Sequence, residues 1–206
     1  MSIVKLNNNG VKNATAFGSG VTSLGSMTFI KKLTASSSAT LSFVDGSSSV
    51  VLDNTYKEYL FTFKDIHPAT DGAQFLVGFR DGGTDYDATK TTTAFFGQHD
   101  ESGGNGALSY STGSDLAQST SYQRIAPDIG NDNDQSASGY LCLFNPSSTT
   151  FVKHFIARAN QYHSANFSQD WYIAGYCNTT TAIDGVQFKM NSGNIDSGVI
   201  KLYGVS

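Results

Sequence analysis

The chain has 206 residues, 39% of them hydrophobic and only 15% charged, with a formal net charge of -4. That charged fraction lies below the roughly 25% of ordinary soluble domains, and no block of Lys or Arg forms a phosphate-binding stripe, so nucleic acid is not an expected partner. No apolar run approaches the about 20 residues a membrane-spanning helix needs, and the opening MSIVKLNNNG turns polar too early for a signal peptide.

Residues 1–22 differ from the rest. They are rich in Asn, Gly and other small residues and read as an extended N-terminal arm. Ile3, Val4, Leu6, Val11 and Phe17 recur through it and are the expected assembly anchors, groups that an arm buries against a neighbouring subunit. From residue 23 to 206 the pattern predicts one β-sandwich domain. Strands are expected at Ser26–Leu33, Ala39–Gly46, Tyr56–Ile66 and Ala73–Arg80. Between Asp81 and Asn133 the signal weakens into turn-rich sequence. Short strands are expected there at Thr93–Gln98, at Ala107–Ser111, and within TSYQRIAPDIG, ending near Pro127. Clear strands resume at Ser138–Pro146, Thr150–Ala159, Asp170–Asn178, Asp184–Asn191 and Gly198–Val205. No segment carries a helical pattern. The expectation is all-β: an antiparallel β-sandwich of jelly-roll type, with a closed antiparallel barrel as the alternative.

No nucleophile elbow, Walker loop or HExxH motif occurs, so no enzyme, catalytic residue or cofactor is expected. Cys142 and Cys177 read as free, buried strand thiols, and two cysteines without CxxC spacing make no zinc site. His67, in DIHPAT, reads as a strand-end residue, and His154 as a strand residue facing solvent or a partner. His99, Asp100 and Glu101 would bind a metal only if the fold brought His163 to them, and a solvated loop is the simpler reading. Asp81–Asp87 and Gly130–Ser136 are oxygen-rich, as calcium loops are, but lack the EF-hand glycine and glutamate, so Asp/Asn/Gly turns are expected instead and no metal is assigned. The aromatic route to function is NQYHSANFSQDWY, Asn160–Tyr172, where Tyr162, His163 and Trp171 are candidate glycan contacts beside a polar loop. The competing reading makes Trp171 the start of a strand and a lid on the core. Tyr86 and Tyr110 are weaker candidates.

Several phrases carry a resemblance: SIVKLNNNGVKNATAFGS, MTFIKKLTASSSATLSFVDG, VVLDNTYKEYLFTFKDIHPATD, GYLCLFNPSSTTFVKHFIA and FKMNSGNIDSGVIKLYGVS. Together they resemble a family of virion structural proteins of tailed bacteriophages, especially marine and cyanobacterial ones, over nearly the whole chain. The resemblance implies a tail-, fibre- or head-surface protein without an active site, assembled in a host cytoplasm and located in the virion. It implies other virion proteins as partners and a homo-oligomer, with a trimer favoured. Capsid decoration and recognition of a host surface glycan are the alternative roles.

Overall fold

Period-two alternation dominates the sequence from Met27 onward, and the backbone follows it. In a computed structural model, which describes residues 26–206, twelve strands succeed one another and no helix occurs among the described residues. They are β1 (Met27–Ser38), β2 (Thr40–Val44), β3 (Glu58–Pro68), β4 (Ala73–Arg80), β5 (Lys90–Asp100), β6 (Gly106–Tyr110), β7 (Gln123–Ile129), β8 (Ala137–Phe144), β9 (Lys153–His163), β10 (Phe167–Cys177), β11 (Gly185–Met190) and β12 (Ile195–Val205). The expected arm over 1–22, with Ile3, Val4, Leu6, Val11 and Phe17, lies outside the described residues.

All pairings between these strands are antiparallel. The main path runs β1-β12-β3-β8-β9-β7-β4-β11-β2, and β10, β5 and β6 extend outward from β9. The two ends of the path, β1 and β2, are joined by Ala39 alone. The link between β9 and β7 is the single pair Ile129↔His163. The antiparallel sheet is thus nearly closed into a barrel, narrow at that link.

The core lies where the two arms of the path face each other. Phe188 of β11 meets Phe43, Phe61, Phe63 and Phe75, at centroid distances of 6.3, 5.7, 6.5 and 5.5 Å. Phe79 of β4 meets Phe155 of β9 at 4.8 Å. Aromatic rings bury large apolar areas and also pack edge to face, so this cluster supplies both area and geometry.

Several boundaries differ from the expected ones; β5 runs Lys90–Asp100 rather than Thr93–Gln98, and β12 starts at Ile195 rather than Gly198. β1 continues to Ser38, beyond Leu33. β7 runs through Pro127; its register against β4 shifts between Ala73 and Leu76, and Asp128 adopts φ 59°, so the proline sits in an irregular stretch that needs no N–H from it. The polar loop expected near Asn160–Tyr172 is instead a hairpin. β9 and β10 pair without interruption from His163↔Phe167 to Lys153↔Cys177 and leave only Ser164–Asn166 as the turn, with Asn166 at φ 63°.

Candidate binding face

Alternation divides each strand of the extension between two faces. On β9, Lys153, Phe155, Ala157, Ala159 and Gln161 are buried, whereas His154, Ile156, Arg158 and Asn160 are exposed. On β10, Gln169, Trp171 and Ile173 are buried and Ala174 is exposed. Register then aligns the outward residues into rows. One row runs Tyr140↔Arg158↔Tyr172↔Phe95↔Tyr110 across β8, β9, β10, β5 and β6. Two residues along the strands, a second runs Phe29↔Tyr203↔Leu60↔Cys142↔Ile156↔Ala174↔Thr93.

The first row forms a ridge. The Tyr172 and Phe95 rings stack 4.9 Å apart with an interplanar angle of 3°. The Arg158 guanidinium also lies over the Tyr172 ring, 4.7 Å from its centroid. Arg158 also donates to Asp170 from Nε at 3.0 Å and from Nη2 at 2.6 Å, and the Tyr172 hydroxyl donates to Asp170 Oδ2 at 3.0 Å. These hydrogen bonds raise the Arg158 pKa and lower that of Asp170, so both stay charged; the same carboxylate pushes the Tyr172 phenol up. A forked pair that also stacks on a ring has few rotamers left.

The ridge separates two zones about 13 Å apart along the strands. On one side, an apolar depression of about 480 Å³ is lined by Phe144, His154, Ile156, Ala174 and Tyr176 among others. On the other, a hollow of about 390 Å³ is lined by Ser138, Tyr140, Arg158, Asn160 and Asp170. A smaller space of about 260 Å³, lined by His99, Glu101, Tyr162 and Ser168, shares Asn160 as a wall.

The three candidate glycan residues are not brought together. Trp171 points inward, is 4% exposed, stacks on Phe96 at 4.6 Å and donates from Nε1 to Gln169 Oε1 at 3.1 Å. Its ring has no face left for a sugar. His163 sits at the β9–β7 link with Nε2 3.9 Å from Asp128 and its Nδ1 accepting from the Ala165 N–H. Tyr162 alone lines the outer face, its hydroxyl donating to Glu101 Oε1 at 2.8 Å, which pushes the phenol pKa up.

The polar loops close on themselves. Asp100 accepts from the N–H groups of Gly104 and Asn105, from Ser102 Oγ and from Asn105 Nδ2. Those bonds, the Asn105 N–H foremost, hold its pKa down to about 2. Asp132 and Gln135 bridge each other within 130–136, with the Asp132 N–H donating to Gln135 Oε1 and the Gln135 N–H to the Asp132 carbonyl. Among the described residues no group of three or more His, Cys, Asp or Glu side chains converges as metal ligands. His67 Nδ1 lies 2.7 Å from the Gln135 carbonyl, and His154 packs edge-on against Tyr176.

Sequence reading missed Lys90 and Lys153. Both are fully buried and both stand opposite Cys177, on β5 and β9. Lys153 donates to the carbonyls of Thr179 and Thr181 at 3.0 and 2.6 Å, and Lys90 to that of Ala88 at 2.5 Å. Burial lowers both lysine pKa values and pushes the Cys177 thiol up to about 12. The signal was the inward parity of Lys153 with Phe155 and Ala157. Cys142 and Cys177 are both free.

No family model matches the chain, and no curated protein or solved structure matches it either.

Proposed function

We propose that this chain is a non-enzymatic structural protein of a tailed-phage virion, tail- or fibre-associated, that assembles as a homo-oligomer through the apolar zone of its outer face. The sequence phrases quoted above supply the virion setting. One observation carries the assembly. Among the described residues the exposed large hydrophobic ones are Met27, Phe29, Phe95, Leu108, Tyr110, Tyr140, Phe151 and Ile156, and all but Phe151 fall on the same face of the sheet. Scattered exposed apolar groups need no explanation, but a concentration on one face marks a contact surface.

Within that face Met27, Phe29, Tyr203, Leu60 and Ile156, from β1, β12, β3 and β9, make up an apolar zone. A self-complementary patch closes by symmetry, which is how most homo-oligomers form. Ile3, Val4, Leu6, Val11 and Phe17, which lie outside the described residues, enter the proposal as further anchors from their sequence pattern. A trimer remains the favoured stoichiometry.

The finer fold assignment belongs here too. The runs β1-β12-β3-β8 and β2-β11-β4-β7 are two sets of four antiparallel strands joined at the β1–β2 corner. That order supports a jelly roll, an architecture common in viral coat proteins, with β9, β10, β5 and β6 widening one sheet into the outer face.

Cryo-electron microscopy of particles of the encoding phage tests the proposal. Density for this fold on the tail or fibre, with the apolar zone in a subunit contact, is the expected result. Density spread over the head would make it a decoration protein, and absence from the particle would refute the virion role.

A further inference from the structure

We propose that the hollow bounded by Tyr140, Arg158, Asn160 and Asp170 binds a neutral saccharide, with the chain running past Asn160 toward Tyr162 and Ser168. This goes beyond the assembly proposal: Tyr140 and Arg158 belong to the ridge and form the near wall of the hollow, and Asn160 and Asp170 lie on the side of the ridge away from Ile156.

The floor of the hollow offers donors and acceptors side by side. Of the five N–H donors of a guanidinium, Arg158 gives Asp170 its Nε and one from Nη2, leaving three with no protein acceptor among the described residues. Ser138 Oγ accepts from the Asp65 N–H at 3.0 Å and keeps its own proton to donate. Asn160 Nδ2 donates to Ser168 Oγ and to the Gln169 carbonyl, each at 3.1 Å, which leaves its Oδ1 as an acceptor. The carboxylate of Asp170 has lone pairs beyond those Arg158 and Tyr172 use. A sugar hydroxyl both donates and accepts, so it fits such a mixed set.

The walls argue the same way. Tyr140 is 38% exposed, and its ring offers an apolar surface to the C–H face of a pyranose. Arg158 and Asp170 already neutralise each other at 2.6 Å, so an ionic ligand finds no net charge to meet. A peptide in extended form would need free backbone groups, but β9 lies between β8 and β10, and β10 between β9 and β5, with their ladders paired. The Arg158–Tyr172–Phe95 stack holds the hollow rigid before any ligand arrives, which reduces the ordering cost of a weak ligand.

The test titrates the full chain with cellohexaose, β-1,4-mannohexaose and chitohexaose, followed by calorimetry and by amide chemical shifts. At least one of the three should bind, with shifts confined to β8, β9, β10 and the adjoining end of β5. Tyr140→Ala and Asn160→Ala should each weaken that binding about tenfold, with melting temperature and native mass unchanged. Binding by none of the three probes, or undiminished binding in both variants, overturns the proposal. A monomer that binds sugar would refute only the assembly reading; an oligomer that binds none would refute only this one.

Discussion

Phe188 is fully buried among Phe43, Phe61, Phe63 and Phe75, rings drawn from both arms of the sheet path. Removing its ring leaves a cavity that strands cannot collapse into without breaking ladders. Phe188→Ala should therefore cost about 3–5 kcal/mol, read as a lower midpoint in urea unfolding at unchanged slope. A loss under about 1 kcal/mol would mean the two arms pack less closely than described. Asp100 offers a second residue-scale check, this time of pH. Its carboxylate is held down to about 2 by loop donors, Asn105 first. A carboxylate with a depressed folded pKa stabilises its loop above the unfolded value and loses that contribution as pH falls through the folded one. The Gly103–Asn105 turn should thus hold from neutral pH to about 4 and loosen toward about 2. Carbon-13 titration of the Asp100 carboxyl should show the low midpoint, and Asn105→Ala should raise it. An ordinary midpoint in the native chain would contradict the cap.

At the scale of the element, parity decides what a residue can do. Trp171 and Tyr172 are neighbours on β10, yet one is buried against Phe96 and the other stands in the outer ridge. The lone tryptophan drew attention to a polar stretch, but the Ile173 that follows two residues later shared its parity and already placed both inward. Although β6, exposed at every position, carries no alternation, most of the strands were legible because alternation is local. The ridge was not. Tyr140, Arg158, Tyr172, Phe95 and Tyr110 meet only through the registers of five strands separated in sequence by turns or other strands, and no local pattern carries register. Tyr110 was weighed as a weak candidate; Tyr140, Arg158 and Phe95 had no local signal to single them out. The buried lysines escaped for a related reason: their partners are loop carbonyls brought in by the chain's return. Gly139 tests the β8–β9 pairing that sets the hollow. A Cβ there would lie 2.1 Å from the Arg158 carbonyl oxygen and 2.8 Å from the Ala159 Cα, which are backbone atoms that cannot swing aside. Gly139→Ala should cost roughly 1–3 kcal/mol and separate Tyr140 from Arg158, visible as a lower melting temperature and faster amide exchange along β8. A neutral substitution would contradict that close approach.

At the scale of the whole molecule, a nearly closed sheet places all but Phe151 of the exposed large apolar groups among the described residues on one outer face. A chain with few charges has little else with which to specify a partner. The proposed division is simple: the apolar zone of Met27, Phe29 and Ile156 joins subunits, and the polar hollow across the ridge meets a ligand. Native mass spectrometry of the full-length chain, beside the double variant Phe29→Glu/Ile156→Glu, tests this most directly. The account predicts a homo-oligomer, a trimer by preference, for the unaltered chain and a folded monomer for the variant. A monomer for the unaltered chain, or an oligomer untouched by the two glutamates, would contradict it.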